Sequence, residues 1–237
     1  MSVIDKLRGK LIVSCQALPE EPLHGAIFMA AMAKAAALGG AVGIRANGEA
    51  DIAAIREVVA LPIIGIRKRN IAGTEIYITP EFADAQAVVR AGADLVALDG
   101  TNRPRPPGEP SLADLIARIH DELRVPVMAD CSCMADAEHA AAAGADILAT
   151  TLSGYTSHGH PPIDGPDLAL INALADVLSL PVIAEGRFYR PEHVAEALAR
   201  GAFAVVVGGA ITRPHEITRR FVEALPTSAA EDTAPPA

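Results

Sequence analysis

The segments AGADLVALDG (91–100), AGADILATTL (143–152) and RGAFAVVVGG (200–209) share one pattern. In each, Gly ends a helical stretch, a short apolar run follows at once, and the run leaves through polar residues or glycines. Gly in that place suits the left-handed turn that caps a helix before a strand. The short, nearly continuous apolar runs fit buried parallel strands covered by helices. The pattern predicts strict alternation of strand and helix.

Working outward, apolar runs recur at 11–15, 41–45, 62–68, 95–100, 126–132, 147–152, 181–186 and 204–211. Helical spacing lies between them, at about 24–38, 50–60, 80–91, 111–123, 135–143, 166–179, 191–200 and 214–225. Pro80 and Pro191 stand where a proline fits the first turn of a helix. An open doubly wound sheet uses the same alternation, but eight units favour closure into a (β/α)8 TIM barrel. The expected organisation is one α/β catalytic domain over 1–225, followed by a disordered tail over 226–237 that is rich in Ala, Pro, Ser, Thr and acids.

Composition agrees with that reading. Among 237 residues only 3% are aromatic and none is Trp, so the core must be built from Ala, Val, Ile and Leu. A formal net charge of −9 argues against nucleic-acid or anionic-membrane partners, which need clustered Lys and Arg. Any phosphate must be caught locally. The most apolar stretches break within about ten residues, short of the ~20 a membrane span requires. Residues 1–10 lack the layout of a signal peptide, and the expectation is a soluble, cytoplasmic protein. Cys15, Cys131 and Cys133 match no disulfide or zinc spacing. They read as reduced, buried thiols, with Cys131 and Cys133 sharing a face if they lie on a strand.

Barrel chemistry gathers where strands run out into βα loops. Here nearly every such end is polar, while the opposite ends, led in by Pro62, Pro126 and Pro181, are not. Alternation puts Lys68 in phase with Ile64 and Ile66, and Arg67 and Arg69 on the other face. Two flanking guanidinium groups and partial burial are expected to lower the lysine toward a working base. Glu185, in phase with Ile183, is expected to face the same mouth. Gly186, Gly208 and Gly209 read as a phosphate cup, with Arg187 or Arg213 as charge partners. Proton transfer and a Schiff base at Lys68 both remain open. The loop 99–106 either shapes the site or stiffens it. His158 and His160 show no third metal ligand, and the other histidines read as surface or packing residues.

The strand-end segments LIVSCQ (11–16), AVGIR (41–45), PIIGIRKR (62–69), LDGTNRPRP (98–106), ADCS (129–132), TTLSGYT (150–156), VIAEGR (182–187) and VVGGAITRP (206–214) carry a resemblance along nearly the whole chain. It resembles the N-acetylmannosamine-6-phosphate 2-epimerases of bacterial sialic acid catabolism. That resemblance implies inversion at C2 of a phosphorylated amino sugar through an enediolate, without metal or other cofactor. It implies Lys68 as the base and Glu185 as partner acid or second base, with a substrate hydroxyl able to relay the proton. Gln16, Arg45 and Asp130 would hold the sugar or the developing oxyanion. Arg213 would close the site, and Gly186, Arg187, Gly208 and Gly209 would receive the phosphate. Arg67, where an uncharged residue is expected, and the loop SHGHPPIDG (157–165) depart from the pattern. The alternatives are a Schiff-base sugar-phosphate aldolase and a non-catalytic phosphosugar-binding regulator. A homodimer is expected.

Overall fold

The computed structural model describes residues 2–159, 161 and 163–226, so all but the first residue of the expected tail lies outside the described residues. The order is β1 (Leu11–Cys15), α1 (Ala26–Leu38), β2 (Gly43–Asn47), α2 (Glu49–Val58), β3 (Ile63–Ile66), α3 (Phe82–Arg90), β4 (Leu95–Asp99) and α4 (Leu112–Arg118). It continues with β5 (Val127–Asp130), α5 (Met134–Ala142), β6 (Ile147–Ala149), α6 (Leu168–Val177), β7 (Val182–Glu185), α7 (Pro191–Ala199), β8 (Ala204–Val207), α8 (Gly209–Thr212) and α9 (Pro214–Glu223). Each strand pairs in parallel with the next, and β8 pairs with β1, which closes a (β/α)8 TIM barrel. No helix among the described residues is long and apolar enough to cross a membrane.

Strand alternation sorts the side chains. Ile12, Ile64, Ile66, Leu95, Ala97, Met128, Ile147, Ala149, Ile183, Ala204 and Val206 fill the barrel interior. Their odd-phase neighbours, among them Val13, Ile44, Ile63, Val96, Val127 and Leu148, pack outward under the helices. Leu7, on a 3-10 turn at Asp5–Leu7, plugs the N-terminal end, where a Cβ on Gly43 would stand 2.9 Å from its Cδ2. The chemistry is thereby left to the other end.

The glycines that end three of the helices are coupled to the strands that follow. Gly92, Gly144 and Gly201 take φ of 112, 97 and 94°, as left-handed helix ends require. After Gly92 and Gly144 the aspartate two residues on reaches back to the preceding strand. Asp94 Oδ2 accepts the Ile63 N–H at 2.9 Å, and Asp146 Oδ2 accepts the Val127 N–H at 2.7 Å. A basic side chain that precedes that strand, Arg56 on α2 or His120 just past α4, binds the same oxygen.

Three expectations need correction. The run 204–211 is not all strand: β8 stops at Val207, and Gly209 starts the short α8. Pro80 precedes α3 instead of opening it, because Glu81 is the N-cap and its N–H donates to Asp84 Oδ2 at 3.1 Å. Pro191 does open α7. Cys131 and Cys133 share no strand, since β5 ends at Asp130 and Cys133 is the N-cap of α5. All three thiols are free; Cys15 and Cys131 are buried and Cys133 is half-buried. Burial pushes Cys15 up to about 12.

Candidate active site

Continuing the inward phase one or two residues past each strand brings polar groups to the C-terminal mouth. They surround a cavity of about 280 Å³. Gln16, Arg45, Lys68, Glu185, Gly186, Arg187, Gly208, Gly209 and Arg213 line it. Asp130 lies beneath, fully buried behind Arg45. All ten sequence-selected residues are thus in one place, nine on the wall and one under the floor.

The floor is a charge network around Arg45, which is 1% exposed. Its Nη1 donates to Asp130 Oδ1 at 3.0 Å and to Glu185 Oε2 at 2.7 Å, and its Nη2 to Asp130 Oδ2 at 2.5 Å. Burial alone would lower the guanidinium, but the two carboxylates outweigh it and hold Arg45 firmly charged. Burial raises the Glu185 carboxyl, against the pull of Arg45. One guanidinium between two carboxylates leaves a negative charge unbalanced. The next cation is Lys68.

The Lys68 ammonium opens to the cavity, and its main-chain N–H donates to Asn47 Oδ1 at 2.8 Å. Residues 67–79 fold back as a hairpin, with Arg69 N–H donating to Tyr77 O and Thr79 N–H to Arg67 O. Thr79 takes φ of 45°, a strained value for a β-branched residue, and its Oγ1 donates to Ala97 O at 2.6 Å. Lys68 keeps an exposed side chain at the mouth, but crowding by the cavity walls, and then Arg45, lower it to about 8, opposed by Glu185. The flanking arginines expected to do this are turned away. Arg67 pairs with Glu49 and Asp84, and Arg69 with Glu81 and Asp84, on the helix side of the strand. Arg213 acts on Lys68 in their place.

On the opposite wall Gly186 and Arg187 take φ of 116 and 56°, turning the chain under the cavity. Arg187 donates from Nε to Gly165 O and from Nη1 to Ser153 O, both at 2.7 Å. No carboxylate among the described residues pairs with it. Arg213, by contrast, is held by Glu21 at 3.0 Å and Glu216 at 3.2 Å. Gly208 and Gly209 lead into α8, whose first N–H groups have no partner within the helix. A Cβ on Gly209 would stand 2.6 Å from Glu216 Oε2.

Residues not singled out beforehand also line the cavity, chiefly Ser14, Tyr77, Thr151, Tyr155, Tyr189 and Thr212. Thr151 carried a readable signal, being in phase with Ile147 and Ala149. Tyr77 carried none, since the hairpin that delivers it has no strand period. Gln16 Nε2 donates to Ser14 Oγ at 2.8 Å, while its Oε1 is buried without a partner. The loop 99–106 stiffens without lining the cavity: Arg103 donates to Asp99 Oδ2 and Arg105 to Pro80 O, each at 2.6 Å. His160 lies outside the described residues. His158 Nε2 lies 3.1 Å from Asp136 Oδ1, and with Cys133 the three donor atoms fall within 4.8 Å of one another. The sequence could not pair them, because Cys133 and Asp136 come from the preceding unit. Asp136 already accepts N–H groups of Asn102 and Ser132, and the contact ties the β6–α6 loop to α5.

The family model described as "Putative N-acetylmannosamine-6-phosphate epimerase" matches residues 29–227. A relative from Caldanaerobacter subterraneus, named "Putative N-acetylmannosamine-6-phosphate 2-epimerase", is 50% identical over 94% of this chain and 93% of its own. One of the same name from Thermosynechococcus vestitus is 49% identical over 95% and 97%. The solved structure of the N-acetylmannosamine-6-phosphate 2-epimerase from Clostridium perfringens superimposes with a TM-score of 0.91 and 44% identity, covering 95% of this chain and 97% of that one.

Proposed function

The chain belongs to the N-acetylmannosamine-6-phosphate epimerase family, and from that premise we propose that it interconverts N-acetylmannosamine 6-phosphate and N-acetylglucosamine 6-phosphate by inverting C2. The observation that carries the reading is a lysine lowered to about 8 beside a carboxyl raised by burial, in one sugar-sized cavity. An acid and a base tuned toward each other suit removal and return of a weakly acidic proton.

C2 lies beside a carbonyl only in the open-chain sugar, where its proton can leave to an enolate, called so because C2 carries nitrogen instead of a second oxygen. Neutral Lys68 takes that proton. Arg45 stabilises the charge that builds on O1. Glu185, or Lys68 by way of a substrate hydroxyl, returns a proton on the other face. Arg187, with no carboxylate partner among the described residues, supports binding of the phosphate together with the glycines at 186, 208 and 209. Gln16 Oε1 lacks a donor and suits the sugar's amide or a hydroxyl. The activity fits catabolism of sialic acid in the cytoplasm, by a homodimer.

Proton NMR of N-acetylmannosamine 6-phosphate in deuterated water tests this. Loss of the C2 proton with appearance of the epimer is expected. Turnover without C2 exchange, or a borohydride-trapped adduct at Lys68, would replace it with Schiff-base chemistry.

A further inference from the structure

Two threonines follow β6, and both serve Glu185. Thr150 fixes its main chain: Thr150 Oγ1 donates to the Glu185 carbonyl at 3.0 Å and accepts the Glu185 N–H at 3.1 Å. Thr151 deals with the side chain. Its Oγ1 lies 2.7 Å from Asp130 Oδ1 and 3.1 Å from Glu185 Oε2. A hydroxyl has one hydrogen, so it donates to only one of these at a time.

The carboxyl itself is pinned. Its contacts with Arg45 and Thr151 both fall on Oε2, which leaves Oε1 for the substrate. When Glu185 is ionised, Oε2 is a strong acceptor and competes for the Thr151 hydrogen. Once Oε1 takes a proton, Oε2 weakens, and Asp130, which accepts both arms of Arg45, becomes the better acceptor. The hydroxyl can follow the charge by rotating about one bond. We propose that Thr151 is a positioning residue whose hydroxyl turns between Glu185 and Asp130 as Glu185 gains and loses its proton, so that the carboxyl exchanges a proton without leaving Arg45. This rests on the reading of Glu185 as a proton-exchanging group in the epimerase.

The charged groups around Glu185 are Arg45 from β2, Lys68 beyond β3 and Asp130 from β5, with Arg213 acting on Lys68 and the Tyr77 phenol on the same cavity wall. Thr151→Val changes none of them and keeps the shape of the side chain. The hydroxyl favours the ionised form of Glu185, so its removal raises the titration midpoint.

The test is a carbon-13 NMR titration of protein labelled at the glutamate Cδ, with the Glu185 signal identified by its loss in Glu185→Gln. Thr151→Val is expected to raise the midpoint by about one pH unit, the scale of one hydrogen bond to a charged group. Thr151→Ser is expected to return it to the parent value. The Glu185 limb of the pH profile of kcat moves in parallel, with KM little changed. Coincident titrations of parent and Thr151→Val, or a serine variant that stays with the valine variant, would overturn the proposal. So would activity lost evenly across pH with an unmoved midpoint, the mark of a purely structural role. If Thr151→Val does not fold, Thr151→Ala is titrated in its place and read by the same criteria. The midpoint is read without substrate, so an epimerase reading that failed for want of C2 exchange would be told apart from a failure here.

Discussion

The proposed base, Lys68, sits where its surroundings oppose its charge. Crowding by the cavity walls and the nearby Arg45 bring it to about 8, so the neutral form fills as pH rises through that value. The rate of C2 exchange is therefore expected to climb from pH 6.5 and level off above roughly pH 9, about one unit past the midpoint. A flat profile across that range would remove Lys68 as the base. Lys68→Ala is expected to slow exchange by about 10²–10⁴-fold, the usual contribution of a positioned base, with the fold intact by circular dichroism. Arg45 plays a different part. Arg45→Ala strands the buried Asp130 and the part-buried Glu185, at a cost of about 3–5 kcal/mol, and removes a charge that depresses Lys68. Thermal unfolding should move down and the Lys68 limb should move to higher pH. Arg45→Lys keeps the charge but cannot make both bonds to Asp130, so it restores the limb better than the stability.

At the scale of elements, the repeated aspartate fixes how one βα unit seats on the last. Asp146→Ala leaves the buried Val127 N–H without its acceptor, which costs about 1–3 kcal/mol. For a chain of this size each kcal/mol lowers Tm by roughly 2–4 °C. Because Asp146 sits at the start of its strand, away from the cavity, kcat at 25 °C should stay at the parent value. A variant with unchanged Tm would show the staple to be idle. The third repeat has Phe203 in the aspartate's place, its ring 4.5 Å under the Arg8 guanidinium, so a cation–π contact replaces the carboxylate there. Much of this level was legible in the sequence: strand phase alone sends Ser14, Arg45, Lys68, Asp130 and Glu185 inward and gives the barrel its polar end. What could not be read depends on chain returning from a distance. The pairing of Lys68 with Ile78, the strain at Thr79 and the delivery of Tyr77 come from a hairpin with no strand period. The partners of Arg67 and Arg69 lie on neighbouring helices, so nearness in sequence to Lys68 misdirected the charge argument.

Across the whole molecule, the last unit closes the barrel onto the first. Thr212 Oγ1 donates to Ser14 O at 3.0 Å, and Arg213 pairs with Glu21. After this latch α9 buries none of its own residues. Phe221 and Val222 on it, and Leu225 just past its end, stand 73, 57 and 65% exposed. Such a strip gains little for a monomer but, covered by a second copy, would bury apolar surface at about 25 cal/mol per Å². The proposed homodimer draws support from this strip, and α9 also bears on the site, since Arg220 lies 4.8 Å over the ring of the cavity residue Tyr189. Sedimentation velocity at micromolar protein is expected to give twice the 24.5 kDa chain mass. Phe221→Glu, alone or with Val222→Glu, is expected to shift the boundary toward one chain without unfolding it. A parent protein that sediments as one chain would exclude the dimer. A dimer indifferent to both substitutions would place the interface elsewhere, with the exposed Ile27, Phe28 and Leu38 of α1 as the next surface to substitute.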